Sequence, residues 1–167
     1  YLLPRSFANL GPAFASEDVN GDGRYDFYVG GAKDQPGQLF IQAPDGNFDI
    51  AENPLFQQLA KAEDVTAAFA DFNGDGAADL YVGSGGNEYK SGNLFYFDRV
   101  YFGDGKGNFQ FIPNALPPIG ENTSSLAIHD IDEDGDLDIF VGVSVLNGDY
   151  GASTKSYLLI NQGNGIF

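Results

Sequence analysis

An acidic nine-residue pattern, repeated three times, constrains the fold of this chain more than any other feature of its sequence. The pattern is Asp-x-Asn/Asp-x-Asp-Gly-x-x-Asp, and its copies begin at Asp18, Asp71 and Asp130. The starting residues lie 53 and 59 residues apart, a period that suits a supersecondary unit of several strands. The sequence therefore predicts one region built from three repeats, at approximately residues 11–52, 64–113 and 123–167.

Short apolar stretches flank each acidic copy. In the second repeat they run from Ala67 to Ala70 and from Leu80 to Val82. A third stretch in each repeat leads into a glycine turn and an aromatic residue, as in Lys106-Gly107-Asn108-Phe109. Such spacing is typical of antiparallel strands joined by tight turns. Each repeat is predicted to be a four-stranded antiparallel meander, with the acidic segment between strands one and two. In the third repeat the glycine turn and aromatic that lead into the fourth strand are at Asn164–Phe167.

The strands predict how the meanders pack. Continuous apolar stretches such as Phe27-Tyr-Val29 indicate sheets that are covered on both faces. Stacked meanders around an axis form a β-propeller, so the predicted fold class is all-β with three propeller blades. Since three blades leave two sheet faces open, we expect further blades or a homo-oligomer to cover them. A turn or two of helix, opened by Pro54, is the one helix candidate, within residues 54–64.

Composition excludes several classes of function. The chain has 24 acidic and 8 basic residues and a formal net charge of −16, which repels nucleic acid and anionic membranes. No apolar run reaches the ~18 residues of a membrane span, and the absence of cysteine excludes disulfides and thiolate sites. We expect neither nucleic-acid binding nor direct membrane insertion. Because the chain starts at Tyr1, we also expect a processed product or an excerpt of a longer protein.

The acidic pattern predicts calcium sites. Ca²⁺ takes six to eight oxygen ligands at ~2.3–2.6 Å, and side chains at positions 1, 3 and 5 of the pattern can turn inward around it. Glycine at position 6 permits the sharp turn. By analogy with other calcium loops, the carbonyl at position 7 is a further ligand, and the aspartate at position 9 closes the site. Oxygen-only ligands disfavour zinc and copper, and Mg²⁺ competes weakly because it keeps its waters.

The predicted ligands of about three Ca²⁺ ions follow from this pattern. They are Asp18, Asn20, Asp22, Arg24 and Asp26 in the first copy, Asp71, Asn73, Asp75, Ala77 and Asp79 in the second, and Asp130, Asp132, Asp134, Asp136 and Asp138 in the third, with Arg24, Ala77 and Asp136 acting through their backbone carbonyls.

The pattern has two other interpretations. The acidic segments can be solvated turns without an ion, although three copies in register make this hard to accept. EF-hand and dockerin loops need an acidic ligand at position 12 and a helix after it. Position 12 is Val29, Val82 and Val141 here, and strands follow, so that interpretation fails three times.

The repeats resemble the FG-GAP and VCBS repeats of integrin α-subunit propellers and of many exported bacterial proteins. The calcium pattern carries this resemblance. Four other stretches more narrowly resemble bacterial proteins in which such repeats precede an ASPIC/UnbV domain: Val29-Gly-Gly-Ala-Lys33, Tyr81-Val-Gly-Ser-Gly-Gly-Asn-Glu88, Val100-Tyr-Phe-Gly-Asp-Gly-Lys-Gly-Asn-Phe109 and Ser156-Tyr-Leu-Leu-Ile-Asn161. Phe14-Ala15 and Gly31-Ala32-Lys33 replace the Phe-Gly and Gly-Ala-Pro signatures, which weakens an integrin-like ligand but not the fold.

The resemblance implies calcium in the strand 1–2 loops on one rim and recognition loops on the opposite face. The long connections at residues 83–98 and 144–155 are candidates for recognition. Their aromatic side chains could stack on sugar rings or a protein partner, or pack the loops onto their own blade. These residues are Tyr89, Phe95, Tyr96, Phe97 and Tyr150.

An enzymatic role rests on few residues. His129 is the only histidine and is predicted to be a strand-end residue that orients the third loop, rather than a ligand or base. A glycosidase-like carboxylate pair would come from acids outside the loops, which we expect to be solvated. These acids are Glu88, Asp98, Glu121 and Asp149.

The sequence therefore predicts a secreted or cell-surface, calcium-stabilised repeat module for protein or glycan recognition or adhesion, bacterial and exported by the resemblance, and not an enzyme. The alternatives are the propeller portion of a polysaccharide-acting enzyme, or an architectural surface protein that self-assembles.

Overall fold

A computed structural model describes residues 11–146, 149 and 152–167. Its regular elements are mostly β-strands, in three antiparallel sheets that follow one another along the chain. We call each sheet with its connections a blade. The described helices are short, and none is long and apolar enough to cross a membrane.

Blade 1 is a four-stranded meander in which each strand pairs with the next. Its strands are β1 (Phe14–Glu17), β2 (Asp26–Val29), β3 (Gln38–Gln42) and β4 (Phe48–Ala51). Aromatic and β-branched residues fill β2, as strands prefer. Gly46, with φ of 85°, forms the turn between β3 and β4.

A short helix joins blade 1 to blade 2. Helix α1 (Pro54–Gln58) is capped by Asn53, whose side chain accepts a hydrogen bond from the amide of Leu55. The helix is confirmed within the predicted range but covers about half of it, because the chain enters the next strand at Glu63.

Blade 2 is the second four-stranded meander. Its strands are β5 (Glu63–Ala70), β6 (Asp79–Gly85), β7 (Arg99–Gly103) and β8 (Phe109–Phe111). A 3₁₀ turn at Leu94–Tyr96 interrupts the long connection between β6 and β7.

Blade 3 has three strands among the described residues, where a four-stranded meander was predicted. Strands β9 (Thr123–His129), β10 (Asp138–Val143) and β11 (Tyr157–Leu159) form the sheet. The glycine turn predicted at Asn164–Phe167 is confirmed, with the amide of Gln162 bonded to the carbonyl of Ile166. Phe167, the last residue of the sequence, matches Phe48 and Phe109, the first residues of β4 and β8. The amide of Phe167 bonds to the carbonyl of Ala115, and its ring packs against Phe72, so this segment fastens blade 3 to blade 2.

The blades stack face on face through two apolar cores. The core between blades 1 and 2 is built around Tyr28, Leu39, Leu80 and Tyr101, with Phe56 of α1 packed among them. The core between blades 2 and 3 repeats the arrangement with the next set of strands. These stacked sheets confirm the predicted all-β, blade-like fold.

Buried polar groups join the blades within these interfaces. Asp64 of blade 2 accepts a hydrogen bond of 2.7 Å from the Tyr28 hydroxyl of blade 1, and it pairs with Arg99 at 2.5 Å. At the next interface Asp98 of blade 2 accepts a 2.7 Å hydrogen bond from the Thr123 hydroxyl of blade 3. Buried ions need such partners, so the network fixes how neighbouring blades align.

The acidic loops share one end of the stack. Consecutive strands run antiparallel, so the strand 1–2 and strand 3–4 connections of a blade lie at the same end. Across the first interface, the amide of Gly107 in the β7–β8 turn bonds to the carbonyl of Val19 in the first acidic loop. The long strand 2–3 connections therefore lie at the opposite end.

Candidate metal centres

The three acidic segments form loop 1 (residues 18–26), loop 2 (71–79) and loop 3 (130–138), each joining the first and second strand of its blade. Positions 1 to 9 are counted from the first aspartate of each loop.

The first aspartate organises each loop by binding its backbone. In loop 2 Asp71 accepts hydrogen bonds from the amides of Gly74, Asp75 and Gly76, at 2.8, 3.1 and 2.9 Å. Asp18 holds the equivalent three amides of loop 1, and Asp130 holds two in loop 3. The chain therefore winds around the carboxylate at position 1, as a cation loop must.

The side chain at position 3 lies beside the one at position 1. In loop 2 the amide of Asp75 donates to both Asp71 and Asn73, with lengths of 3.1 and 2.9 Å to their Oδ1 atoms. The amide of Asp22 does the same with Asp18 and Asn20 in loop 1. Sharing one donor brings two ligand-type oxygens together in each loop.

Loop 3 shows this convergence with carboxylates. One oxygen each of Asp130, Asp132 and Asp138 lies within 4.8 Å of the other two. Desolvation, and then the charges of Asp134 and Asp138, raises the pKa of Asp132. A bound cation would relieve this repulsion. Loops 1 and 2 have asparagine at position 3, so they lack this additional negative charge.

Position 6 requires glycine. Gly23, Gly76 and Gly135 have φ values of 83°, 86° and 98°, in the region that L residues rarely adopt. At position 4, loop 3 has Glu133 with φ of 62°, where loops 1 and 2 have glycine.

Positions 5 and 7 are tied together in every loop. The amide at position 7 donates to the carboxylate at position 5, for example from Ala77 to Asp75 at 2.8 Å. In loop 1 the Arg24 guanidinium also pairs with the Asp22 carboxylate and donates through Nε to the carbonyl of Gln42 at 3.0 Å. In loop 1 the Arg24 guanidinium is therefore already paired with Asp22, one of the predicted calcium ligands. The sequence does not predict this ion pair, because Arg24 was considered only for its backbone carbonyl.

The aspartate at position 9 is fully buried in all three loops and joins each loop to its sheet. In loop 2 one oxygen of Asp79 accepts from the Phe72 amide at 2.9 Å, and the other from Gly103 on β7 at 2.9 Å. Asp26 accepts the equivalent bond from the amide of Gln42, the last residue of β3, and Asp138 accepts it from the amide of Asn161, just after β11. Predicted only as a ligand, this residue also fastens the loop to the third strand.

Burial makes the charge at position 9 costly. Desolvation raises the pKa of Asp79 to about 6, although hydrogen bonds from Gly103 and Phe72 oppose the rise. Desolvation likewise raises the pKa of Asp26. Hydrogen bonds from Gly23, Asp22 and Gly21 outweigh desolvation at Asp18 and lower its pKa.

The residues fit a calcium ion. Each loop offers carboxylate or amide oxygens at positions 1, 3, 5 and 9, and a hard cation with flexible coordination suits such a set. Carboxylates have lone pairs beyond the hydrogen bonds described, so position 9 can bind an ion while it holds the third strand.

One carboxylate outside the loops differs from its predicted setting. Asp98 was expected to be solvated but is buried, because its oxygens accept hydrogen bonds from Tyr81, Ser84 and Thr123 at 2.6, 2.8 and 2.7 Å. Burial raises the pKa of Asp98 to about 6. Its role is to join blades 2 and 3.

The other three candidate acids and His129 are not part of the buried network around Asp98. Glu88 and Asp149 are exposed, as expected, whereas Glu121 is half-buried and accepts a 3.0 Å hydrogen bond from the Tyr157 hydroxyl. His129 is exposed at the end of β9, opposite Asp138, where a strand-end residue was predicted.

The aromatic residues of the strand 2–3 connection in blade 2 divide into two groups. Tyr96 is fully buried, and its hydroxyl bonds to both backbone groups of Tyr89, so it packs the loop onto its own blade. Phe95 lies 5.0 Å from the Tyr89 ring and 5.9 Å from Lys61 Nζ. Tyr150 lies outside the described residues.

An open pocket lies next to this connection. It has a volume of about 380 Å³ and lies at the end of the stack opposite the acidic loops. Its walls come from the strand 2–3 connection and from the segments that lead into and out of blade 2. Among the lining residues are Leu59, Phe95, Phe97, Phe111 and Pro117.

Comparison with known proteins identifies the repeat. A family model described as FG-GAP-like repeat matches residues 18–82 and 71–141, which together cover well over half of the chain. A search of curated proteins finds no significant match. FG-GAP-like repeats are typical of extracellular recognition and adhesion proteins, often bind Ca²⁺ and are generally non-catalytic, whereas the narrower likeness to ASPIC/UnbV-associated proteins stays a prediction. Two overlapping matches, each running from one acidic loop into the next blade, show that the chain belongs to the FG-GAP-like repeat family.

Proposed function

We propose that loops 1, 2 and 3 each bind one Ca²⁺ ion and that the chain is a calcium-stabilised module for recognition or adhesion outside the cell. The observation that carries this proposal is the clustering of oxygens in loop 3, where Asp130, Asp132 and Asp138 offer three ligand atoms within 4.8 Å of one another. Loops 1 and 2 share its backbone hydrogen-bond pattern.

The ion would be held at positions 1, 3, 5 and 9 of each loop, with the position 7 carbonyl as a further ligand. Its role is structural, because it cancels charge where the loop is fastened to the sheet. Extracellular calcium modules commonly bind with dissociation constants of roughly 10⁻⁴–10⁻³ M, which suits a protein exposed to millimolar calcium. Together with the narrower bacterial resemblance, this supports an exported bacterial protein.

Calcium stoichiometry tests the proposal directly. Isothermal titration with CaCl₂ on chelator-treated protein should give three ions per chain, and Asp71→Ala should give two. Asp45→Ala is the matched control, since Asp45 is an exposed turn acid outside the loops, and it should keep three. The proposal fails if no heat of binding appears at millimolar calcium, or if Asp71→Ala still takes up three ions.

We place the recognition surface at the end opposite the calcium loops, in the pocket beside Phe95 and Phe97. Aromatic rings and prolines around an open pocket of about 380 Å³ suit an apolar sugar face or a protein side chain. A glycan array and a screen of surface proteins would identify the ligand class. Phe95→Ala should abolish any binding found and leave calcium stoichiometry at three, which separates failure of this site from failure of the calcium proposal.

A further inference from the structure

Asn161 contacts two of the three acidic loops at once. It lies two residues after the last residue of β11, and it is buried, with an exposed fraction of 2%. Its hydrogen bonds reach loop 3 of its own blade and loop 2 of the neighbouring blade. One buried side chain therefore lies between two proposed calcium sites.

Two hydrogen bonds join Asn161 to loop 3. Its backbone amide donates to Oδ1 of Asp138, the position 9 carboxylate, at 2.8 Å. Its side-chain Nδ2 donates to the carbonyl of Leu137, at position 8, at 3.2 Å. The last two residues of loop 3 therefore position Asn161, and one of them is a predicted calcium ligand.

A third hydrogen bond joins Asn161 to loop 2. Nδ2 also donates to the carbonyl of Phe72, at position 2, at 2.8 Å. The amide of Phe72 in turn donates to Oδ2 of Asp79, at position 9, at 2.9 Å. Three hydrogen bonds in series thus connect Asp138 of loop 3 to the equivalent aspartate of loop 2.

The carbonyls of the two loops orient the Asn161 side chain. Only the N–H groups of an asparagine amide can donate to a carbonyl, so Nδ2 must face them. The other amide atom, Oδ1, is buried and has no hydrogen-bond partner among the described residues. An unpaired buried acceptor is unfavourable, so the two bonds from Nδ2 hold the side chain in place. Disorder in either loop would remove one of them.

The first interface contains the same connection in a longer form. Gly103 occupies the position of Asn161 in blade 2, because its amide donates to Oδ1 of Asp79 at 2.9 Å. Glycine has no side chain that could reach loop 1. The turn after β7 makes that contact through the amide of Gly107, which donates to the carbonyl of Val19 at 3.0 Å. At both interfaces the position 2 carbonyl of a loop is therefore bonded to the following blade.

From this series of hydrogen bonds we propose that Asn161 couples loops 2 and 3, so that calcium in either loop raises the calcium affinity of the other. An ion that orders loop 3 fixes Asp138 and, through it, Asn161. Ordering of loop 2 then loses less conformational entropy. Coupling between binding sites is reciprocal, so the same factor applies in both directions. The proposal rests on the calcium sites proposed above, and it makes Asn161 a positioning residue and not a ligand.

A calcium titration that resolves the individual sites of the 167-residue chain measures this coupling. In ¹H–¹⁵N NMR spectra the amides of Gly76 and Gly135, at position 6, report the occupancy of loops 2 and 3 separately. Asp130→Ala disables loop 3 and should weaken calcium binding at loop 2 by about fivefold, at the lower end of common couplings. In an Asn161→Gly background, which copies Gly103 of blade 2, Asp130→Ala should leave the affinity of loop 2 unchanged.

This double-mutant cycle separates coupling from stability. Asn161→Gly can lower the melting temperature for structural reasons alone, but a purely structural residue would not change the effect of Asp130→Ala on loop 2. Gln162→Ala is the matched control, because Gln162 is the next residue, is exposed, and bonds through its side chain to the carbonyl of Ile160. It should keep the fivefold effect. Asp134→Asn, a milder change in loop 3, replaces Asp130→Ala if that variant does not fold.

Three results would overturn the proposal, and they can be told apart. If disabling loop 3 in the wild-type background leaves the affinity of loop 2 unchanged, the loops are independent, while the calcium sites themselves stand. If the fivefold effect persists in Asn161→Gly, the coupling does not pass through Asn161. If no loop binds calcium at millimolar concentration, the proposed function fails and the coupling fails with it.

Discussion

Replacing Asp98 with asparagine is expected to remove a pH dependence from the stability of the folded chain. Asp98 is buried between blades 2 and 3, and burial raises its pKa to about 6 although Tyr81, Ser84 and Thr123 donate hydrogen bonds to it. Asparagine keeps these contacts, because the Oδ1 atom still accepts from Ser84 and both hydroxyls can accept from the amide.

The magnitude follows from the difference between folded and unfolded pKa. The carboxyl titrates near its usual value of 3.8 when the chain is unfolded, and at about 6 when it is folded. Between these values the folded chain holds a proton that the unfolded chain has lost, so stability falls as the pH rises. Two pKa units at ~1.4 kcal/mol each give a loss on the order of 3 kcal/mol, complete above about pH 6 and absent below about pH 3.8.

Chemical denaturation at a series of pH values from about 3.5 to 7.5, in saturating calcium, measures this difference. The acids of the three loops are the same in both proteins. Their contribution to the pH dependence therefore cancels when the free energy of unfolding of the wild type is subtracted from that of Asp98→Asn. The free energy of unfolding of Asp98→Asn should increase relative to that of the wild type as the pH rises. The control Asp149→Asn changes an exposed acid and should show the same pH dependence as the wild type. Parallel curves for wild type and Asp98→Asn would refute the reasoning.

Three further perturbations concern the loops. Chelation should lower the melting temperature, since three sites at millimolar calcium supply about 1–4 kcal/mol in total; unchanged calorimetric melting would contradict a structural ion. Arg24→Ala should tighten calcium binding at loop 1 severalfold, because it frees Asp22 of its ion pair and recreates the alanine of loop 2; weaker binding by titration would show that the arginine helps the ion. Asp79→Ala should lose about 1–3 kcal/mol more than Asp75→Ala even in chelator, because three amides lose their acceptor; equal denaturation midpoints would reject this role.

Much of the fold follows from local sequence. The second strand of each blade begins at position 9 of its loop, at Asp26, Asp79 and Asp138, where an acidic segment gives way to an apolar stretch. Turns with glycine after the third strand placed the hairpins correctly in blades 1 and 2. These signals are local, since backbone conformation and burial on a sheet face are set by neighbouring residues.

Contacts between blades were not predictable in this way. Asp98 looks like any loop acid in the sequence, and its partners Tyr81 and Thr123 are 17 and 25 residues away. Only the three-dimensional arrangement brings such partners together.

Each acidic loop joins a proposed ion site to a blade interface through adjacent residues. Position 1 offers ligand oxygens, and position 2 places Val19 or Phe72 in the core shared with the next blade. Position 9 binds the position 2 amide, as Asp79 binds that of Phe72. An ion that orders the loop therefore also orders the apolar residue on which the next blade packs. In loop 3 that residue is Ile131, which is 45% exposed.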